Sequence, residues 1–154
     1  MASILGILGM ITGTTGIFFG FYYLGNQPEL ALKIVTLATV GGVGFLAFVR
    51  HVVFYRSDMK RLGWETDRPD WMFEVGFANL AFAAAGTLAA LTPLGKPAMT
   101  VCLLGYSIYL LQASILHGYR YFTDEKKSPA RLWRSCLATL LYSVMLGYFA
   151  AVSY

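Results

Sequence analysis

The chain of 154 residues holds two histidines, and both His51 and His117 stand about one helical turn from the point where a hydrophobic span should meet water. Glu74 occupies the same kind of position at the start of another span. Two imidazoles and a carboxylate form a sensible ligand set for zinc, iron or another transition metal with open positions, and they equally form a proton relay. The simpler reading makes each an interfacial residue: a histidine at a wet helix end, and a glutamate favoured by the positive N-terminal end of its helix. Ionisable groups inside a membrane are functional by default, so a site for a small ligand, a proton or a metal is expected at His51, Glu74 and His117. A metal is expected nowhere else. Asn79 lies five residues beyond Glu74, about 7.5 Å along the axis and ~140° round the helix, whereas Ala78, Ala81 and Ala85 share the face of Glu74. No H-E-x-x-H or C-x-x-C spacing, Gly-rich phosphate loop or nucleophile elbow occurs, so no cofactor is specified.

The elements that must position these groups follow from where charge is missing. The composition is 57% hydrophobic, 16% aromatic and only 13% charged, about half the ~25% charged content of a soluble domain. Disordered, coiled-coil and disulfide-stapled classes need more charge, a heptad pattern or more cysteine. Residues 1 to 28 carry no charge, and Met1 to Gly6 has no basic residue for a signal-peptide n-region, so a retained first span is expected. Ile34 to Val49 extends to a full crossing if Lys33 and Arg50 snorkel. Val75 to Gly95, Pro97 to Tyr119 and Ser135 to Tyr154 supply three more spans of about 20 residues. Stretches of that length without strict alternation are helices rather than barrel strands. The expectation is an all-α fold, a polytopic membrane protein of five transmembrane helices near residues 3–24, 31–54, 72–92, 98–121 and 132–153, forming one domain over 1–154.

Ten of the twelve basic residues lie in two loops: Arg50, Arg56, Lys60, Arg61 and Arg68 after the second span, and Arg120, Lys126, Lys127, Arg131 and Arg134 after the fourth. Lys33 and Lys96 fall in the other two. This asymmetry predicts a cytoplasmic N-terminus and a C-terminus outside. It also accounts for the net charge of +4 through topology and anionic lipid headgroups, so no nucleic-acid partner is expected. Cys102 and Cys136 fall at opposite depths, too far apart for a disulfide.

Small residues recur at helical spacing. Gly6, Gly9, Gly13, Gly16 and Gly20 follow one another at intervals of 3, 4, 3 and 4 along one face of the first span. Such a face permits backbone contact with another helix, either within the bundle or in a homo-oligomer or larger membrane complex. Gly76, Asn79, Ala83, Gly86 and Ala90 repeat the spacing in the third span, and Cys136, Thr139, Ser143, Gly147 and Ala150 form a weaker stripe in the fifth.

The run His51, Gly63-Trp64, Pro69 and Glu74-Val75-Gly76-Phe77-Ala78-Asn79-Leu80-Ala81, with His117 closing a later helix, resembles a family. It is similar to the uncharacterised five-helix prokaryotic membrane proteins related to the DoxX-like group, in which a Gly-Trp loop leads into a Glu-Val-Gly-Phe-Ala-Asn helix. The likeness covers residues 50 to 86; elsewhere it is one of topology. The segment between Pro69 and Glu74 is one residue longer than in that pattern, and Thr123 to Pro129 lacks an Asn/Pro/Gly-rich loop. The resemblance implies a bacterial inner-membrane protein with His51, Glu74, Asn79 and His117 as signature positions, and no activity. Three functions compete: binding or conduction at the His/Glu/His cluster, an accessory or assembly subunit of a larger complex, and a quinone-linked membrane enzyme, for which no cofactor motif is present.

Overall fold

A charge-free stretch in lipid has no water to satisfy its backbone, so it closes its own hydrogen bonds and becomes a helix. The computed structural model describes residues 1–124 and 132–152, and five helices in it are long and apolar enough to cross a membrane. They are α1 (Ala2–Leu24), α2 (Pro28–Val53), α4 (Asp70–Leu91), α5 (Gly95–Thr123) and α6 (Leu132–Val152). No strand occurs among the described residues. The Asn/Pro/Gly-poor loop noted above falls largely on residues 125–131, outside the described ones. α2 begins three residues before its expected start because Pro28 sits in its first turn, where a missing N–H costs nothing.

One helix was not expected. α3 (Tyr55–Leu62) occupies what reads as a polar loop, and Gly63 in the left-handed conformation (φ 70°) ends it. There the amide of Trp64 donates to the Met59 carbonyl at 3.1 Å, a helix-ending turn that favours glycine. The Ala2 amide donates to Ser57 Oγ at 3.3 Å, tying the start of α1 to α3.

α2 packs on both α1 and α4, α4 on α5, and α5 on α6. The small-residue stripes mediate these contacts. Gly76 meets Val52, Gly86 meets Val40, and Gly44 lies against Ala83, so the α4 stripe faces α2. In the α6 stripe, Ser143 and Ser107 donate to each other's carbonyl at 2.7 and 2.8 Å across α5 and α6. Cys102 and Cys136 are both free thiols.

The two ends of the bundle differ. Leu32, Val35, Leu103, Leu146 and Phe149 form a closed core at the end away from the two Arg-rich loops. At the other, basic end the helices diverge around a cavity of about 1470 Å³. α1 shows the change along its glycine face. A side chain at Gly16 would collide with Ala38, one at Gly20 with Val35 and Phe149, and one at Gly13 with the Tyr142 hydroxyl. At Gly9 nothing stands within 4 Å, and at Gly6 only the tip of Arg50 does. The stripe therefore serves packing inside this chain over Gly13, Gly16 and Gly20, and opens onto the cavity over Gly6 and Gly9.

Candidate ligand site at the basic end

The polar wall of the cavity is built where α2 runs out. Its last turns, Val49–Val53, are wound as a π-helix, and Phe54 leaves helical geometry so that α3 can fold back beneath them. Wide turns of this kind re-aim side chains and recur at functional sites. α3 is amphipathic in an unusual way: Asp58, Met59 and Leu62 form its buried face, so a carboxylate goes inside with the hydrocarbon.

Asp58 is fully buried and surrounded by donors. Its Oδ1 accepts from Arg61 Nε at 2.7 Å; its Oδ2 lies 2.8 Å from His51 Nδ1 and 3.5 Å from Arg50 Nε. Arg50 Nη2 donates to His51 Nε2 at 3.2 Å, which leaves the ring proton on Nδ1, beside the carboxylate. Burial alone would raise the Asp58 pKa; the His51 hydrogen bond and the Arg50 and Arg61 guanidiniums outweigh it and hold the carboxyl down at about 2. Asp58 is thus the anion that lets two arginines and a histidine gather at a helix end.

The turn at Gly63 swings Trp64 over the cavity, where its ring stacks on His117 at 5.1 Å and 16°. Arg120 covers the same indole at 5.8 Å, and Trp71 meets it at 5.5 Å. The Trp64 Nε1–H is buried and finds no acceptor among the described residues. At the floor, Asn79 Nδ2 donates to the Val75 carbonyl and to the Tyr109 hydroxyl, both at 2.8 Å, and its Oδ1 accepts from Tyr106 at 3.0 Å. Having accepted from Asn79, the Tyr109 hydroxyl keeps its own proton to donate.

His51, His117 and Asn79 all line the cavity, while Glu74 does not. It is exposed on the outside of α4. The reason is the register of that helix: the Gly76, Asn79 and Ala83 stripe turns inward against α2, and Glu74, ~140° from Asn79, is carried outward. The expected His51, Glu74, His117 cluster is therefore not assembled. Among the described residues no group of three His, Cys, Asp or Glu side chains could hold a metal ion, so the metal site expected at those three residues is not formed. The carboxylate that meets His51 is Asp58, from a segment read as loop. A signal existed in the Asp58, Met59, Leu62 spacing, but a lone acid on an apolar helical face is read as surface by default.

Comparison with known proteins places the sequence in a family. A family model described as a family of unknown function (DUF6790) matches residues 2–154. It does not show the link to the DoxX-like group. No curated protein and no solved structure matches the chain.

Proposed function

We propose a function for a chain that belongs to DUF6790, a family of unknown function: it is an integral membrane protein that binds a small ligand rich in hydrogen-bond acceptors, an anion or a molecule ending in one, in the cavity at its basic end. The observation that carries this reading is the excess of donors on the cavity wall. Arg50, Arg61, Arg120 and Arg134 all line it, with the unpartnered Trp64 indole and the Tyr109 hydroxyl. Two carboxylates share the wall, Glu65 and Asp124, the latter 3.6 Å from Arg120. Asp58 behind the wall is already engaged by Arg50, His51 and Arg61, so the guanidiniums still outnumber the acids an incoming acceptor would compete with. Hydrogen bonds to an ionised partner in such a setting contribute roughly 1.5–3 kcal/mol each.

Titrating the purified full chain with glycerol 3-phosphate, read by tryptophan fluorescence, tests the reading. A saturable change is expected, weakened at least tenfold in Arg120→Gln, a residue half exposed and outside the Asp58 cluster. No saturable change, or one untouched by Arg120→Gln, would overturn it.

The 10:2 division of basic residues supports placing this end in the cytoplasm of a bacterial cell, with the C-terminus outside. In a chain with Cys102 and Cys136 replaced by serine, Asp67→Cys should react with thiol reagents only from the cytoplasmic side, and Gln27→Cys only from outside. The reverse pattern would invert the topology. The accessory-subunit and homo-oligomer alternatives drew on an unfilled glycine face and on the small extramembrane mass; Gly13, Gly16 and Gly20 are occupied from within the chain, which leaves those alternatives the open positions Gly6 and Gly9 and the small extramembrane mass.

A further inference from the structure

The ring of helices does not close. Among the described residues, α1 and α6 meet from mid-span toward the far end, where Tyr142 fills the space at Gly13 and Phe21 packs on Tyr148 and Phe149 at 5.6 and 4.8 Å. Toward the basic end they part, and the wall between them is apolar and faces outward: Ile7, Met10 and Leu141 line the cavity while being 49%, 47% and 60% exposed. Gly6 and Gly9 form the base of this gap. Three residues of helix rise about 4.5 Å, the width of one hydrocarbon chain, and among the described residues only the tip of Arg50, 3.7 Å from a Cβ built at Gly6, approaches that length. The cavity thus joins a donor-rich head region to an apolar slot that opens sideways, at the depth of the lipid tails.

We infer that the cavity takes a single-chain amphiphile with a phosphate or carboxylate head, admitted sideways from the bilayer between α1 and α6. This rests on the reading of the cavity as an acceptor-binding site and adds the hydrocarbon chain and its route. The α1–α6 gap offers a ligand entry without leaving lipid. The chain gains little by moving from one oily surrounding to another, because burial of hydrocarbon against hydrocarbon supplies no hydrophobic driving force in a membrane. Selection among lipids therefore falls to the head, held by the arginines and Trp64, while the slot sets how many chains can follow it. The cavity volume exceeds the roughly 300–1,000 Å³ of sites for drug-sized molecules, as a head plus a chain requires.

The test uses the full chain in phosphatidylcholine nanodiscs, with lipid adducts read by native mass spectrometry. Oleoyl lysophosphatidic acid should be retained about tenfold more than oleoyl lysophosphatidylcholine. Gly9→Phe, which places a ring in the empty slot, should cut the retained lysophosphatidic acid about tenfold and leave the fluorescence response to glycerol 3-phosphate intact, which also reports a folded protein. Gly6→Leu should act in the same direction. Undiminished lysophosphatidic acid in both variants would overturn the slot while leaving the anion site standing. Loss of both ligands in both variants would likewise count against a slot separate from the head region. Equal retention of the two lysolipids, still suppressed by Gly9→Phe, would instead overturn the anion reading on which the head group depends.

Discussion

Asp58→Ala is expected to destabilise the protein by about 3 kcal/mol, near the lower end of the ~3–5 kcal/mol seen when one partner of a buried ion pair is removed. The carboxylate is completely buried and is the common partner of Arg50, Arg61 and His51. Without it, two guanidiniums remain close together with their compensating charge gone. The lower end of the range applies because the arginine side chains are 24% and 25% exposed, so water relieves part of the loss. Asp58→Asn, which keeps the shape and an acceptor oxygen, should cost less. Denaturant unfolding of the full chain in detergent micelles measures both.

The same carboxylate predicts a pH dependence. Its folded-state pKa of about 2 lies below the ordinary 3.8, so its contribution is fully present above the ordinary value and is lost as pH falls through 2. Stability of the native sequence should decline across that window, and the part due to this residue should vanish in Asp58→Ala. An Asp58→Ala protein as stable as the parent at neutral pH would remove the ion cluster from any structural role.

Gly16→Leu is the second large expected effect. A side chain there collides with Ala38, and the axes of α1 and α2 must separate to admit it. Overpacking costs about 1–3 kcal/mol in a core that can shift, and two helices in backbone contact shift little, so about 3 kcal/mol or failure to accumulate is expected. Gly9→Leu, on the same face two turns earlier, should not destabilise the protein, because nothing stands within 4 Å of a Cβ built there and leucine favours a helix over glycine by up to about 1 kcal/mol. Yield, elution volume and melting temperature of the two variants side by side decide the matter. If the stripe worked as one surface for self-association, both variants would alter oligomeric state alike. Equal damage at the two positions would refute the division of α1 into a packed half and an open half.

Much of the architecture was legible in the residues alone. Five spans, their lengths and the all-α fold followed from the absence of charge, since in lipid a backbone without water has few ways to satisfy itself. The intervals of 3 and 4 in Gly76, Asn79, Ala83, Gly86 and Ala90 marked a true packing face, because periodicity on a helix is local geometry. The cavity was not legible. It depends on where α6 parts from α1, and nothing in either span records that separation.

The site divides along the same line. His51, His117 and Asn79 could be singled out by type, since polar groups are costly in a hydrophobic span and are rarely placed there without use. Which carboxylate would join them could not, because that choice turns on helix rotation and on chain reversal. Rotation of α4 by the demand of its small-residue stripe sends Glu74 outward. The break at Phe54 and the glycine turn at Gly63 fold eight residues back so that Asp58 meets Arg50 and His51. Composition and spacing, which act along the chain, determined that this is a helical membrane protein with polar groups at one end. Only the tertiary structure decided that those groups surround a cavity rich in donors with an apolar gap between α1 and α6, because that depends on distances between segments far apart in sequence.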